Sequence, residues 1–178
     1  MGSMKIGGKL DIYLNKLISI EFSDRKKIIS GFLLDYTEDW ILLKTNPADY
    51  LIDGYIIVRN KRIDEVYQDE QEEFAEAVIS LKGTTPAYNE KVPLENIQEI
   101  FRYLDSKYEM FAFTKKSEKS IYPGRLKDIN DKTIRIEWID TRAQWVGERK
   151  FKLDKIRTIE FDSDYLNSLK LASEYYNQ

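Results

Sequence analysis

Residues 26–41, KKIISGFLLDYTEDWI, return as residues 119–134, KSIYPGRLKDINDKTI. Gly31 falls on Gly124, Leu33 on Leu126, Asp35 on Asp128 and Ile41 on Ile134, at a constant offset of 93 residues and without a gap. Lys26/Lys119, Ile28/Ile121, Gly54/Gly147, Ile63/Ile156 and Asp69/Asp162 bring the identities to nine between segments 17–69 and 110–162. Other pairs exchange like for like, among them Ile18 with Phe111, Leu43 with Ile136 and Val66 with Ile159. A repeat of this length means one structural unit built twice.

Each copy reads as five short strands. In the first, LISIEF over 17–22 alternates with period two, as a half-buried strand does. Further strands are expected over 28–35, 40–44, 55–59 and 63–67, with Asn46-Pro47-Ala48-Asp49 as a chain break. In the second copy they fall at 110–114, 121–128, 133–139, 148–153 and 156–161. Gly31 lies inside a strand, which marks a bend, a bulge or a close backbone approach.

Helices flank the strands. Leu94, Ile97, Ile100, Phe101 and Leu104 fall on one face of a helix over 93–104 opened by Pro93. Asp69 and Asp162 are equivalent, and both are read as N-caps. Phe74, Val78 and Leu81 are the expected apolar face after the first copy, and Leu166, Leu169 and Ala172 after the second. A short helix before copy one is expected from Leu10, Tyr13, Leu14 and Leu17. The domain boundaries are set at 4–82 and 93–178, with 83–92 as linker. Met1-Gly2-Ser3 ahead of Met4 reads as a cloning remnant.

The fold class is therefore mainly β with flanking α-helices, as two tandem five-stranded barrels of SH3 type. The residues Gly31-Phe32-Leu33-Leu34-Asp35 with Trp40-Ile41-Leu42-Leu43, and Gly124-Arg125-Leu126-Lys127-Asp128 with Thr133-Ile134-Arg135-Ile136, carry a resemblance. The pattern resembles the first motif of the Sm-like superfamily of Sm, LSm and Hfq proteins. Asn60-Lys61-Arg62 stands where that family has its second motif. The resemblance implies small barrels that bind RNA and assemble through their edge strands. The residues of the family's RNA pocket do not carry over. Copy one has Asp39 nearest the expected asparagine, Asn130 of copy two sits too early, and neither copy has the family's Arg-Gly pair.

Composition narrows the chemistry. The chain has no cysteine and no histidine, which removes disulfides, thiolate chemistry, the usual general base and the commonest transition-metal ligand. No Gly-rich phosphate loop, nucleophile elbow or HExxH pattern occurs. Asp35/Asp39 and Asp128/Asp131 are close in sequence, but Asp is also a standard turn residue. The expectation is a non-enzyme with no cofactor and no metal. No apolar run approaches the ~20 residues of a membrane helix, so no membrane partner is expected and a cytoplasmic location is.

The net charge of −3 is unevenly spread. Segment 17–69 has 7 Lys+Arg against 10 Asp+Glu, segment 110–162 has 13 against 9, and segment 70–109 has 4 against 9. The copies have thus diverged to opposite electrostatic character, which speaks to partners rather than fold. Two candidate surfaces follow. Tyr36, Asp39, Trp40, Tyr50 and Tyr55 set aromatic rings beside carboxylates in copy one, the kind of surface that binds protein. Arg125, Lys127, Arg135, Arg142, Trp145, Arg149, Lys150 and Lys152 interleave cations with an aromatic ring in copy two, the combination that single-stranded nucleic acid needs. Arg149 is expected on the same exposed face as Arg125 and Lys127, with Trp138 and Trp145 between them. The plain alternatives are barrel packing for the first set and a solvated sheet face for the second. The leading expectation is a protein-interaction module (adaptor, assembly factor or immunity-type inhibitor). RNA or single-stranded DNA binding through copy two is the alternative, and self-association is open.

Overall fold

The computed structural model describes residues 8–89, 91–117 and 119–177; the reading of residues 1–4 as a cloning remnant and start lies outside them. The chain divides into two compact units, 1–91 and 92–178. It is mainly β, with antiparallel strands and three α-helices among the described residues.

The first unit contains β1 (Leu17–Phe22), β2 (Arg25–Tyr36), β3 (Trp40–Thr45), β4 (Tyr55–Arg59), β5 (Ile63–Tyr67) and α1 (Glu70–Leu81). Its strands pair in the order β5-β1-β2-β3-β4. Ile18, Ile20, Phe22, Ile29, Leu33, Ile41, Leu43, Ile56 and Val58 form its core, closed by Leu10. The alternate positions Phe32, Leu34, Trp40, Leu42 and Ile57 are buried too, so the middle strands are apolar on both faces.

The second unit contains α2 (Ile97–Tyr108), β6 (Phe111–Thr114), β7 (Ile121–Ile129), β8 (Thr133–Ile139), β9 (Trp145–Lys152), β10 (Thr158–Phe161) and α3 (Asp164–Tyr176). Its order is β10-β6-β7-β8-β9, the same arrangement as the first. Phe101 of α2 packs its ring 4.9 Å from that of Phe111. Met110, Ala112, Ile139, Leu166 and Leu169 make a second apolar cluster beneath α3.

The repeat is reproduced down to the register. Gly31 pairs with Thr45 and Leu33 with Leu43. Gly124 pairs with Trp138 and Leu126 with Ile136, each shifted by the same 93 residues. A bulge at Leu33/Asp35 recurs at Leu126/Asp128. Two of the shared residues have direct causes. A side chain at Gly31 would run into the carbonyl of Lys44, and one at Gly124 into that of Glu137. Gly54 (φ 58°) and Gly147 (φ 120°) take backbone angles that side chains disfavour.

The structure corrects several expectations. Neither unit is a closed barrel: among the described residues no ladder joins β4 to β5, or β9 to β10, so each sheet is open. The helix expected over 93–104 is Ile97–Tyr108, because the Asn96 side chain accepts from the Gln98 and Glu99 amides and fixes the start there. Asp162 is not an N-cap. It sits at φ 54°, and Ser163 caps α3 by accepting from the Leu166 amide. The helix expected near Leu10 is one 3-10 turn, Asp11–Tyr13.

The apolar face expected for α1 also fails. Phe74 and Leu81 are exposed and Ile79 is the buried residue. Polar bonds to β1 turn the helix this way. Ser19 Oγ donates to Glu72 Oε1 (2.7 Å), and the Leu17 amide donates to Glu76 Oε2 (2.8 Å). Gln68 Nε2 donates to the same Glu76 oxygen at 2.6 Å. The acidic side of α1 therefore faces the sheet edge and Phe74 faces solvent.

Candidate functional site

In the first unit the chain between β3 and β4 is a built loop. Asn46 Nδ2 donates to the carbonyls of Asp49 (2.9 Å) and Leu51 (2.7 Å). The Asn46 amide reaches the Ser30 carbonyl at 2.9 Å, and the Asp53 amide reaches Thr45 at 3.0 Å. Lys82 Nζ donates to the Tyr50 carbonyl at 3.0 Å, tying the loop to the end of α1. Bonded from inside, the loop holds Tyr50 and Leu51 outward, at 38% and 55% exposure. Phe74 of α1, 62% exposed, meets Tyr50 edge-on with ring centres 6.1 Å apart. Between loop and helix lies a cleft of about 150 Å³ lined by Asn46, Asp49, Tyr50, Gln71, Glu72 and Phe74.

Of the five residues expected to form a protein-binding surface here, only Tyr50 lines this cleft. Trp40 is 3% exposed and lies beneath the Arg59 guanidinium, 4.4 Å from its ring centre, so it cannot meet a partner. Tyr55 is half-buried under the Lys44 ammonium at 3.9 Å. Tyr36 packs on the core and donates its hydroxyl to Asp11. Asp39 is exposed, and its carbonyl accepts from the Asn60 amide at 2.8 Å. These residues are scattered because strand alternation sends neighbours to opposite faces. Phe74 and Leu51 are the additions. Helical spacing points Phe74 inward; the bonds that Glu72 and Glu76 accept from Ser19 and the Leu17 amide turn it outward.

In the second unit the expected basic residues other than Arg142 lie on β7, β8 and β9. Arg125 pairs with Glu137 and Glu137 with Glu148. Arg125, Glu137, Glu148, Arg135 and Lys150 therefore share one face, with Lys152 beside Thr133 farther along. Arg149 follows Glu148 and faces the other way, which corrects the expectation that it joins Arg125 and Lys127. Its guanidinium lies 4.1 Å from the Trp138 ring centre on that opposite face. Arg142 is exposed in the turn after β8, where the Asp140 carboxylate accepts its amide at 2.8 Å.

Carboxylates offset much of this positive charge. Glu137 Oε2 takes Arg125 Nε at 2.7 Å and Lys127 Nζ at 3.0 Å. Burial would raise the Glu137 pKa, but the Lys127 and Arg125 hydrogen bonds and charges outweigh it and hold the carboxyl below the usual range. Glu148 takes Arg135 Nη1 at 2.5 Å. Both tryptophans are half-buried, and each carries an arginine on its ring: Arg149 on Trp138, and Arg125 on Trp145 at 4.2 Å. Each ring thus has an arginine over one of its faces.

Asp35 accepts from the Tyr36 amide at 2.8 Å, and Asp128 lies 4.0 Å from Arg135. Among the described residues no three acidic, histidine or cysteine side chains gather in a group fit to hold a metal. No helix among them is long and apolar enough to cross a membrane. Comparison with protein-family models, curated proteins and solved structures gave no match.

Proposed function

We propose that this chain is a non-catalytic protein-interaction module whose first unit engages a polypeptide through the Tyr50–Phe74 cleft. The observation that supports this best is the pair itself: two large aromatic side chains held in solvent by a hydrogen-bonded loop and a helix turned outward. Exposed tyrosines and phenylalanines on a rigid frame give contact area at little entropic cost, and such residues dominate binding energies. Asp49 and Glu72 line the cleft, and segment 70–109 carries 9 Asp+Glu against 4 Lys+Arg. A partner that inserts an apolar side chain and surrounds it with basic residues is the complementary surface. The absence of histidine and cysteine from the sequence fits a module without catalytic chemistry.

The Sm-like reading of both units belongs to this proposal as an open form of that fold. Two features support it: the order fifth-first-second-third-fourth strand in each unit, and the bulged glycine-bearing second strand. Single-stranded nucleic acid on the second unit is the alternative. It draws on Lys150 and Lys152, which have no ion pair among the described residues, and it predicts salt-sensitive binding that weakens when Lys150 and Lys152 are neutralised. The deciding experiment is affinity capture from source cells with the native chain and a Tyr50→Ser/Phe74→Ser variant. A stoichiometric protein retained by the first and lost by the second is expected. Recovery of RNA without a stoichiometric protein would contradict the proposal.

A further inference from the structure

We infer that the partner of the first unit presents a basic, amphipathic α-helix, laid along the outward face of α1. The inference rests on the protein-interaction reading of the Tyr50–Phe74 cleft and names the element that fills it. Residues 70–81, EQEEFAEAVISL, are amphipathic in the reverse of the usual sense. A surface helix normally buries its apolar stripe and gives its charges to water. In α1, Glu72 and Glu76 accept bonds from β1, while Phe74, Ala77 and Leu81 are exposed and Val78 is half-buried beside them. At 3.6 residues per turn these four side chains form one stripe about 100° wide, at i, i+3, i+4 and i+7.

That spacing selects a helix as the occupant. Rows of side chains three and four apart are the ridges into which a second helix packs. An extended segment is held instead by an open strand edge or by pockets two residues apart, and a helix surface offers neither. The stripe runs about 10 Å from Phe74 to Leu81 at 1.5 Å per residue, two turns of a facing helix. The loop between β3 and β4 adds a wall: Tyr50 meets Phe74 edge-on at 6.1 Å, and Leu51 is 55% exposed. Lys82 Nζ, bonded to the Tyr50 carbonyl at 3.0 Å, ties that wall to the far end of α1.

Charge sets the sign of the partner. Residues 70–81 hold four glutamates and no lysine or arginine. Glu72 and Glu76 are engaged with β1. Glu70 and Glu73 are exposed, one at the N-terminal end of the stripe and the other along its margin, and Asp49 lines the cleft on the loop side. Lysine or arginine beside the apolar face of a partner helix meets these carboxylates, whereas a second copy of α1 brings four more glutamates to the contact.

The duplication shows that folding does not require the stripe. The offset of 93 residues carries Phe74, Ala77, Val78 and Leu81 onto Asn167, Lys170, Leu171 and Glu174 of α3, three of them polar. The second unit builds the same strand order under a helix without this apolar row.

The test is an amide NMR titration of the full chain with three synthetic peptides of about 18 residues, long enough to form a helix. One is a leucine–lysine sequence of helical period, one has the same composition in strict alternation, and one is a leucine–glutamate sequence of helical period. The basic helical peptide is expected to bind saturably, with shifts confined to residues 48–52 and 70–82. The other two are expected to bind about tenfold more weakly or less. Leu81→Lys, at an 89% exposed position outside the lining of the cleft, is expected to weaken the basic helical peptide about tenfold or more. Equal binding of the alternating peptide, or an affinity unchanged by Leu81→Lys, would overturn the inference. Self-association of the chain abolished by Leu81→Lys would assign the stripe to a second copy and overturn it too. Capture of a native protein that depends on Tyr50 and Phe74 but not on Leu81 would overturn it while leaving the protein-interaction reading in place; no captured protein at all would remove that reading itself.

Discussion

Gly31 lays its bare α-carbon against the carbonyl oxygen of Lys44, and 93 residues later Gly124 does the same against Glu137. The contact is with backbone, so neither neighbour can swing aside. Alanine at either position forces the second strand of its unit away from the third. Each substitution is expected to cost about 1–3 kcal/mol, the range for overpacking a tight site. Chemical denaturation followed by circular dichroism checks it. Equal tolerance of Gly31→Ala and Lys26→Ala, an exposed shared position, would show that the approach is looser than described.

The start of α3 gives a sharper test of a corrected expectation. Ser163 Oγ accepts from the Leu166 amide, whereas Asp162 meets Asn167 Nδ2 at 3.1 Å. Ser163→Ala is therefore expected to cost about 1 kcal/mol, the usual loss for a cap. Asp162→Asn is expected to cost much less, since the side chain makes no cap. Thermal melts of the two variants separate the cases, and a larger loss from Asp162→Asn would restore it as the cap.

Two tyrosines couple the first unit to alkaline pH. The hydrogen bond to Asp11, then burial, push Tyr36 up to about 12 from 10.0. Burial, then the hydrogen bond to Glu21, push Tyr67 up to about 12. Both folded values exceed the unfolded one, so the contribution to stability is whole below about pH 10 and is lost as pH rises through about 12. Tyrosinate absorbance is expected to show two late-ionising phenols, and Asp11→Asn to bring one of them back toward the ordinary range. Early ionisation of every tyrosine in the native chain would contradict both bonds.

Neutralisation of the basic face is testable by removing its acids. Glu137→Gln/Glu148→Gln removes the carboxylate that holds Arg125 and Lys127 and the nearer of the two that Arg135 meets. Stability is expected to move by no more than about 1 kcal/mol, as for other partly exposed ion pairs. Affinity for single-stranded oligonucleotide at low salt is expected to rise from undetectable to measurable. Binding by the native chain of equal strength would show that these acids do not shield the face and would favour the nucleic-acid reading.

Much of the fold was legible because the strands obey short-range rules. The ranges 17–22, 55–59, 63–67 and 133–139 follow from alternation and turn residues, and they match β1, β4, β5 and β8. The offset repeat marked Gly31 and Gly124, and the structure supplies their backbone neighbours. What stayed hidden was long-range. The direction in which α1 faces depends on Glu72 meeting Ser19, residues 53 apart, whereas helical spacing alone puts Phe74 inside. Barrel closure depends on which strands pair at the ends, and helical or strand periodicity does not encode that. Trp40 and Tyr50 look alike as aromatics beside acids, yet strand pairing buries one and a loop exposes the other.

The most direct measurement on the central claim is photocrosslinking from position 50. Tyr50 is replaced by benzoylphenylalanine, the chain is irradiated in source cells, and the adducts are separated. One discrete protein adduct is predicted, abolished by Phe74→Ser and absent when the same group replaces Lys150. No protein adduct from position 50, with RNA captured from position 150, would contradict the account.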